Sequence, residues 1–202
     1  LLLDAAKQYS SNIAIMDEER EVTYQEAMED VKRIATFLRK QGVKQGDRVA
    51  VIGHKNLTTV EMIWACAYAG IVFVAIHPEY PQERRDYIIS DSKSVLTLDT
   101  ECKEFMEEIK NCDGSTEEVQ VAVDAEAYII YTSGSTGKPK GVVITNAGVY
   151  NTLDDMNVRF HITSKDRIFN LSEFGFDLSI YDLFGTVLAG AAVVINRDVR
   201  DV

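Results

Sequence analysis

Residues 128–142, YIIYTSGSTGKPKGV, carry the side chains of this chain best suited to chemistry. An apolar run at 128–131 leads into Thr132, Ser133, Gly134, Ser135, Thr136 and Gly137. Lys138, Pro139, Lys140 and Gly141 follow, and a second apolar run begins at Val142. Glycines let the backbone approach a ligand and take positive φ, so that successive N–H groups can converge on one anion. The hydroxyls of Thr132, Ser133, Ser135 and Thr136 add donors, and Lys138 and Lys140 add positive charge. Pro139 restricts the backbone between the two lysines and disfavours helix at Lys138. A strand, a small polar loop and a second strand in this order suit the binding of phosphate. The segment is not a Walker A loop. That motif needs a glycine five residues before its Gly-Lys pair and a Ser or Thr after the lysine, where Thr132 and Pro139 stand here. Clusters of Ser, Thr and Gly also make plain surface connections, but the order of this one between two apolar strands favours a binding loop.

A second constellation lies at Phe176, Asp177, Leu178, Ser179, Ile180, Tyr181 and Asp182. Asp177 stands between two large apolar residues at an expected helix start, where an aspartate N-cap stabilises by about 1 kcal/mol. If the segment is helical, Asp177 and Tyr181 share a face, and Leu178 lies three residues before Tyr181 on it. Core packing is the ordinary reading of such an apolar pair.

The elements that must position these groups alternate between strand and helix. Residues 13–16 and 21–23 read as a hairpin around 17–20. A helix follows, with Thr23 and Glu26 spaced as a capping box and Ala27, Val31, Ile34, Ala35 and Leu38 on one apolar stripe; Gly42 is placed to end it. Strands are expected at 48–52, 71–76, 95–98, 119–123 and 128–131, with helices at 58–68, 81–90 and between 101 and 110. After the loop come a strand from Val142, a helix from about Ala147, a strand at 167–170, a helix from Leu178 and a strand at 192–195. This alternation implies a largely parallel sheet covered by helices on both faces. The polar stretch 111–118 reads as a mobile loop.

Composition excludes several classes. The chain has 202 residues, enough for a real core, and a net charge of −11, which argues against a nucleic-acid grip. Cys66, Cys102 and Cys112 lack C-x-x-C spacing and suggest buried or free thiols in a reducing cytoplasm. No apolar stretch has membrane-spanning length, and LLLDAAKQYS has no signal-peptide layout. His54, His77 and His161 show no ligand spacing, so a histidine metal site is not expected. Asp154, Asp155 and Asp182 read as solvated or capping carboxylates.

The ten residues TSGSTGKPKG resemble the phosphate loop of the adenylate-forming superfamily, which includes acyl-CoA synthetases, luciferases and the adenylation domains of nonribosomal peptide synthetases. VTYQEA at 22–27 is similar to that family's first core motif, AYAGIVFVAIHP at 67–78 to its second, and FDLS at 176–179 to its fourth. The fourth favours the amino-acid-activating branch. The resemblance covers nearly the whole chain. It implies an α/β fold of layered, largely parallel sheets flanked by helices, with residues 1–202 forming an N-terminal portion of an adenylation domain.

The implied reaction has two halves. A carboxylate attacks the α-phosphorus of Mg-ATP to give an acyl-adenylate and pyrophosphate, and a thiol then takes the acyl group. In a peptide synthetase that thiol is the phosphopantetheine of a carrier protein or domain. The resemblance assigns Thr132 and Ser133 to phosphate and Mg2+ contact. Ser135, Thr136 and Lys140 become the mobile cover over the β,γ-phosphates, with Lys140 the catalytic group of the loop and Gly134 and Gly137 also binding the nucleotide. It assigns Phe176, Asp177, Leu178 and Tyr181 to the amino acid, with Asp177 pairing the α-ammonium. The Asp, Leu, Tyr combination is similar to the opening of pockets for small side chains, cysteine among them and alanine as a rival. Asn146 stands where many members carry His, which leaves no role to transfer there except capping a helix. The family's ribose-binding acid, adenine motif, hinge and small C-terminal domain with its catalytic Lys have no counterpart, so the chain alone is expected to be catalytically silent. A stand-alone D-alanine or amino-acid carrier-protein ligase, an acyl- or aryl-CoA synthetase, and a non-catalytic interaction module are the alternatives.

Overall fold

The computed structural model describes residues 1–133 and 138–196. The chain opens with α1 (Leu2–Gln8) and a hairpin of β1 (Ile13–Met16) and β2 (Glu21–Thr23). The Asp17 carboxylate closes the hairpin's turn by accepting from the Glu19 and Arg20 N–H groups, each at 2.9 Å. In α2 (Tyr24–Lys40) the expected capping box is present: Glu26 N–H donates to Thr23 Oγ1 at 3.3 Å, and Thr23 N–H donates to Glu26 Oε2 at 2.8 Å. Its apolar stripe of Ala27, Val31, Ile34, Ala35 and Leu38 is buried. Gly42 then turns the chain at φ +82°, a conformation with little penalty only for glycine.

The chain continues through β3 (Arg48–Ile52), α3 (Leu57–Tyr68), β4 (Val72–Ile76), α4 (Gln82–Ser92), β5 (Leu96–Asp99) and α5 (Lys103–Lys110). It then forms β6 (Glu126–Thr132), β7 (Lys140–Thr145), α6 (Asn146–Phe160) and β8 (Arg167–Asn170). It closes with α7 (Asp177–Ile180), a π-helical turn (Tyr181–Gly185), α8 (Thr186–Ala189) and β9 (Ala192–Ile195).

Two sheets form, ordered β2-β1-β9-β8 and β5-β3-β4-β6-β7. Pairing is parallel except at one edge of each, where the hairpins β1/β2 and β6/β7 are antiparallel. The interior strands are near-continuous apolar runs, as strands covered on both faces require; Val49, Ala50, Val51 and Ile52 of β3 are all buried. Arg48 ties β3 to β6 across the intervening β4, its guanidinium forking onto the Glu126 carboxylate at 2.8–3.0 Å. Helix α3 packs on α2, β3 and β4 and is buried round most of its circumference. At its middle the Trp64 indole donates to the Leu183 carbonyl in the π-helical turn at 3.1 Å.

Two expectations are corrected. Residues 119–123 form no strand. They run past the end of α3, where Val119 N–H donates to the Tyr68 carbonyl at 3.0 Å and Gln45 Nε2 donates to the Gln120 carbonyl at 3.1 Å. The preceding polar stretch is tied at Thr116, whose N–H donates to Thr36 Oγ1 at 3.1 Å. Asn146 is not the cap of α6 either. Thr145 is the N-cap, and both the backbone N–H and the Nδ2 of Asn146 donate to the Ala125 carbonyl at 3.0 Å.

Cys66 and Cys112 are buried and all three thiols are free; burial pushes the Cys66 thiol up to about 12. Among the described residues no helix is long and apolar enough to cross a membrane. Edge strand β7 leaves both Val142 and Val143 exposed.

Candidate active site

The β6/β7 hairpin frames the predicted binding loop. Its register places Thr132 opposite Lys140, Tyr131 opposite Gly141 and Ile130 opposite Val142. Gly134, Ser135, Thr136 and Gly137 lie outside the described residues. Thr132, Ser133 and Lys140 are exposed at the loop end of the hairpin, so their donors are available to a ligand. Lys138 sits with its ammonium 5.9 Å from the centre of the Tyr87 ring on α4.

Gly141 has a role different from the expected positive φ. It is absent from the positive-φ glycines, and a Cβ placed there would come within 3.0 Å of the Tyr131 ring and 3.1 Å of the Ile129 side chain. The glycine leaves room for Tyr131 to lie across the hairpin, where its hydroxyl donates to Asp91 Oδ2 at 2.7 Å.

Asp177 is the first residue of α7, not its cap. Phe176 holds the N-cap position with an extended backbone (φ −114°, ψ 147°), and the Asp177 carboxylate accepts from the adjacent Leu178 N–H at 2.9 Å. The carboxylate therefore stays exposed. Burial, with the nearby Asp177 charge adding to it, pushes the Tyr128 phenol of β6 up to about 12.

One cleft of about 480 Å³ joins the two predicted constellations. It is lined by Ile130, Tyr131, Thr132 and Ser133 from β6 and its loop, Val142 and Ile144 from β7, and Phe176 and Asp177 ahead of the π-helical turn. Tyr80 and Arg84 complete it, and sequence reasoning singled out neither. The Arg84 guanidinium stacks 4.0 Å from the centre of the Tyr80 ring, and its Nε is buried without a hydrogen-bond partner. The only sequence signal for the pair is their spacing of four across the start of α4. The cleft is of small-molecule size. Hydroxyls, a cation and a carboxylate on its walls allow it to take an anion and an ammonium side by side.

Leu178 and Tyr181 are not among the residues lining this cleft. Leu178 is 65% exposed. Tyr181 opens the π-helical turn, and its hydroxyl donates to Asn157 Oδ1 on α6 at 3.0 Å. The π winding begins only at Tyr181, so Asp177 and Tyr181 remain one α-turn apart along the helix, although only Asp177 of the two lines the cleft.

Among the described residues no group of three His, Cys, Asp or Glu side chains is arranged to hold a metal ion. The exposed hydroxyls of Thr132 and Ser133 fit a magnesium ion that arrives with substrate phosphates, because Mg2+ keeps most of its shell from water and phosphate oxygens. His54 and His77, far apart in sequence, are neighbours in the fold with ring centres 5.9 Å apart, and His77 Nε2 lies 3.4 Å from Glu173 Oε2.

Comparison with known proteins accounts for the fold. The AMP-binding enzyme family matches residues 2–201. Bacitracin synthase 1 of Bacillus licheniformis is 39% identical over 204 residues, covering 100% of this chain and 4% of that protein. The anguibactin system regulator of Vibrio anguillarum is 36% identical over 200 residues, covering 93% of this chain and 19% of that protein. The chain thus spans a small part of the curated relatives it matches. Among solved structures, the nonribosomal peptide synthetase FmoA3 in its alpha-methyl-L-serine-AMP bound form superposes with a TM-score of 0.88 at 28% identity, over 96% of this chain and 23% of that one. The chain belongs to the AMP-binding enzyme family, the adenylate-forming enzymes, and its relatives there include a bacitracin synthase and a nonribosomal peptide synthetase.

Proposed function

We propose that the protein containing this chain activates an amino acid with ATP as its aminoacyl-adenylate and passes it to the phosphopantetheine thiol of a carrier domain, in nonribosomal peptide synthesis. The observation that carries this reading is that Asp177 and the hydroxyl pair Thr132 and Ser133 line one cleft. In the first half-reaction a carboxylate oxygen of the amino acid bonds to the α-phosphorus, and pyrophosphate leaves. Negative charge builds on the phosphate oxygens, where the Thr132 and Ser133 donors stabilise it. Lys140, opposite Thr132 in the hairpin, adds a cation over the β,γ-phosphates, together with the 134–137 loop that lies outside the described residues. Magnesium, carried in with the nucleotide, would neutralise phosphate charge beside the same hydroxyls.

Asp177 holds the α-ammonium. An ammonium left unpaired in a dry cleft would cost roughly 3–5 kcal/mol, which separates amino acids from plain carboxylates by a hundred-fold or more. Phe176 supplies apolar wall beside it. Leu178 and Tyr181 are assigned to the side-chain pocket by the family resemblance alone, with a small substrate such as cysteine or alanine.

The test is amino-acid-dependent ATP–pyrophosphate exchange on the full-length protein, across the proteinogenic amino acids and D-alanine, beside Asp177→Ala. Exchange confined to one or two small amino acids and reduced at least a hundred-fold in the variant is the expected result. Turnover of a carboxylate without an amino group, indifferent to Asp177, would overturn the reading in favour of an acyl-CoA synthetase. The 202-residue chain alone is expected to show no exchange.

A further inference from the structure

The segment that displays Phe176 and Asp177 runs from Asn170 to Leu183, and its ends are fastened to α3 and to the residue just ahead of its N-cap. At the entry, Lys55 lies just ahead of the α3 N-cap Asn56 and is only 3% exposed. Its ammonium donates to the Asn170 carbonyl at 3.2 Å and to the Leu171 carbonyl at 3.1 Å. At the exit, the Trp64 indole of the same helix holds the Leu183 carbonyl at 3.1 Å. Asn170 joins entry to exit. It is fully buried, its backbone carbonyl accepts from Lys55, and its Nδ2 donates to Asp182 Oδ2 at 2.9 Å.

Between the clamps the segment is braced from within. Ser179 Oγ donates to the Phe176 carbonyl at 2.6 Å and the Phe174 carbonyl at 3.3 Å. A buried ammonium is costly unless it meets strong acceptors. Lys55 meets two main-chain carbonyls of one short stretch, with the Asp182 carboxylate as the nearby charge that attracts it. Such an investment of charge in a loop is explained if the loop must be held still.

We propose that Lys55 and Asp182 are positioning residues for Asp177: through Asn170 they fix the segment that carries the Asp177 carboxylate, and so set how well the cleft distinguishes an α-amino acid from the same carboxylate without its amino group. The assignment deepens the adenylation reading and rests on it. Neither residue lines the cleft, so neither touches substrate. Misplacement of a recognition group by about an ångström is enough to cost a hundred-fold in rate. Asp182 also carries the mark of a load-sharing buried group: burial lifts its carboxyl to about 6 against the opposing pull of the Asn170 hydrogen bond and the Lys55 charge.

The experiment compares the full-length protein with its Lys55→Met and Asp182→Asn variants in two measurements. The first is the ratio of kcat/KM for the preferred amino acid to that for its des-amino carboxylate, with KM for ATP measured alongside. The second is hydrogen–deuterium exchange along the chain, which needs no turnover. The expected result is a fall in the ratio of about ten- to a hundred-fold with KM for ATP unchanged, and faster exchange confined to 171–183. If Lys55→Met does not fold, Asp182→Asn, which leaves the Lys55 contacts in place, carries both measurements. An unchanged ratio in variants of an otherwise active enzyme overturns the positioning role alone. So does exchange raised uniformly through β3 and β4, which would make the cluster a plain stabiliser. A wild-type protein that uses the des-amino carboxylate equally well defeats the amino-acid reading, and the positioning role with it.

Discussion

The Tyr181 hydroxyl donates to Asn157 Oδ1 at 3.0 Å, and the Asn157 amide donates in turn to the Gly185 carbonyl at 2.9 Å. The first and last residues of the π-helical turn are thereby tied to one side chain of α6. π-Turns leave carbonyls misaligned for the usual helical ladder and concentrate at functional sites. Here Asn157, Trp64 and Thr186 take up the carbonyls of Gly185, Leu183 and Asp182. Tyr181→Phe removes one neutral hydrogen bond and keeps the ring. It is expected to lower stability by about 1 kcal/mol and Tm by about 2–4 °C in a thermal melt. An unchanged Tm would show that the tie contributes nothing.

Glu61 makes stability depend on pH in the direction opposite to most carboxylates. It is 4% exposed on α3, one carboxylate oxygen has no partner, and burial, with Asp30 adding to it and Arg20 opposing, lifts its carboxyl to about 8. Between the ordinary carboxylate range and pH 8 the folded state holds a proton that the unfolded state has released. Stability from this group is therefore full at low pH and is lost as pH rises towards 8, by roughly 1.4 kcal/mol per pH unit at most. Glu61→Gln is expected to flatten that loss, so that urea midpoints of variant and parent diverge between pH 6 and pH 9 in favour of the variant.

Arg84 offers the cleft a cation that the sequence motifs did not announce. Arg84→Met keeps the packing on Tyr80 and removes the charge. Given the adenylation reading, KM for ATP is expected to rise about ten- to a hundred-fold while KM for the amino acid holds, because loss of a charge-assisted contact is worth roughly 1.5–3 kcal/mol. A rise in the amino-acid KM instead would place the guanidinium on the substrate carboxylate.

Gly141→Ala presses a methyl group against the Tyr131 ring. The ring must give by a few tenths of an ångström, which strains its 2.7 Å bond to Asp91. A loss of about 1–3 kcal/mol is expected from the overpacking, read as a lower urea midpoint. In the double variant with Tyr131→Ala most of that loss should vanish; persistence of the full effect would mean that the backbone, not the ring, needs the glycine.

Local signals carried far in this chain. The capping box of Thr23 and Glu26, the stripe on α2, the apolar runs of the parallel strands and the hairpin around the Ser-Thr-Gly loop all follow from periodicity and short spacings, and the fold repeats them. What escaped depends on encounters between distant segments. Residues 119–123 have strand composition but meet the end of α3 instead of another strand, so no ladder forms. Asn146 and Thr145 are both good caps, and only the approach of the Ala125 carbonyl decides between them. Arg84 joins the cleft because α4 packs beside the β6/β7 hairpin, and the carbonyls of Leu183 and Gly185 in the π turn meet side chains of α3 and α6.

The outer strand of the larger sheet has a consequence for handling the protein. Among the described residues no strand pairs with the outer edge of β7, and Val142 and Val143 put apolar surface on both of its faces. Lys140 is its only charged residue. Soluble proteins usually guard such an edge with charge, proline or a covering segment. Left bare, it is a template onto which any extended apolar peptide can add as a further strand, a second copy of the chain included. That edge is therefore one place where self-association of the polypeptide, when it is produced by itself, would begin.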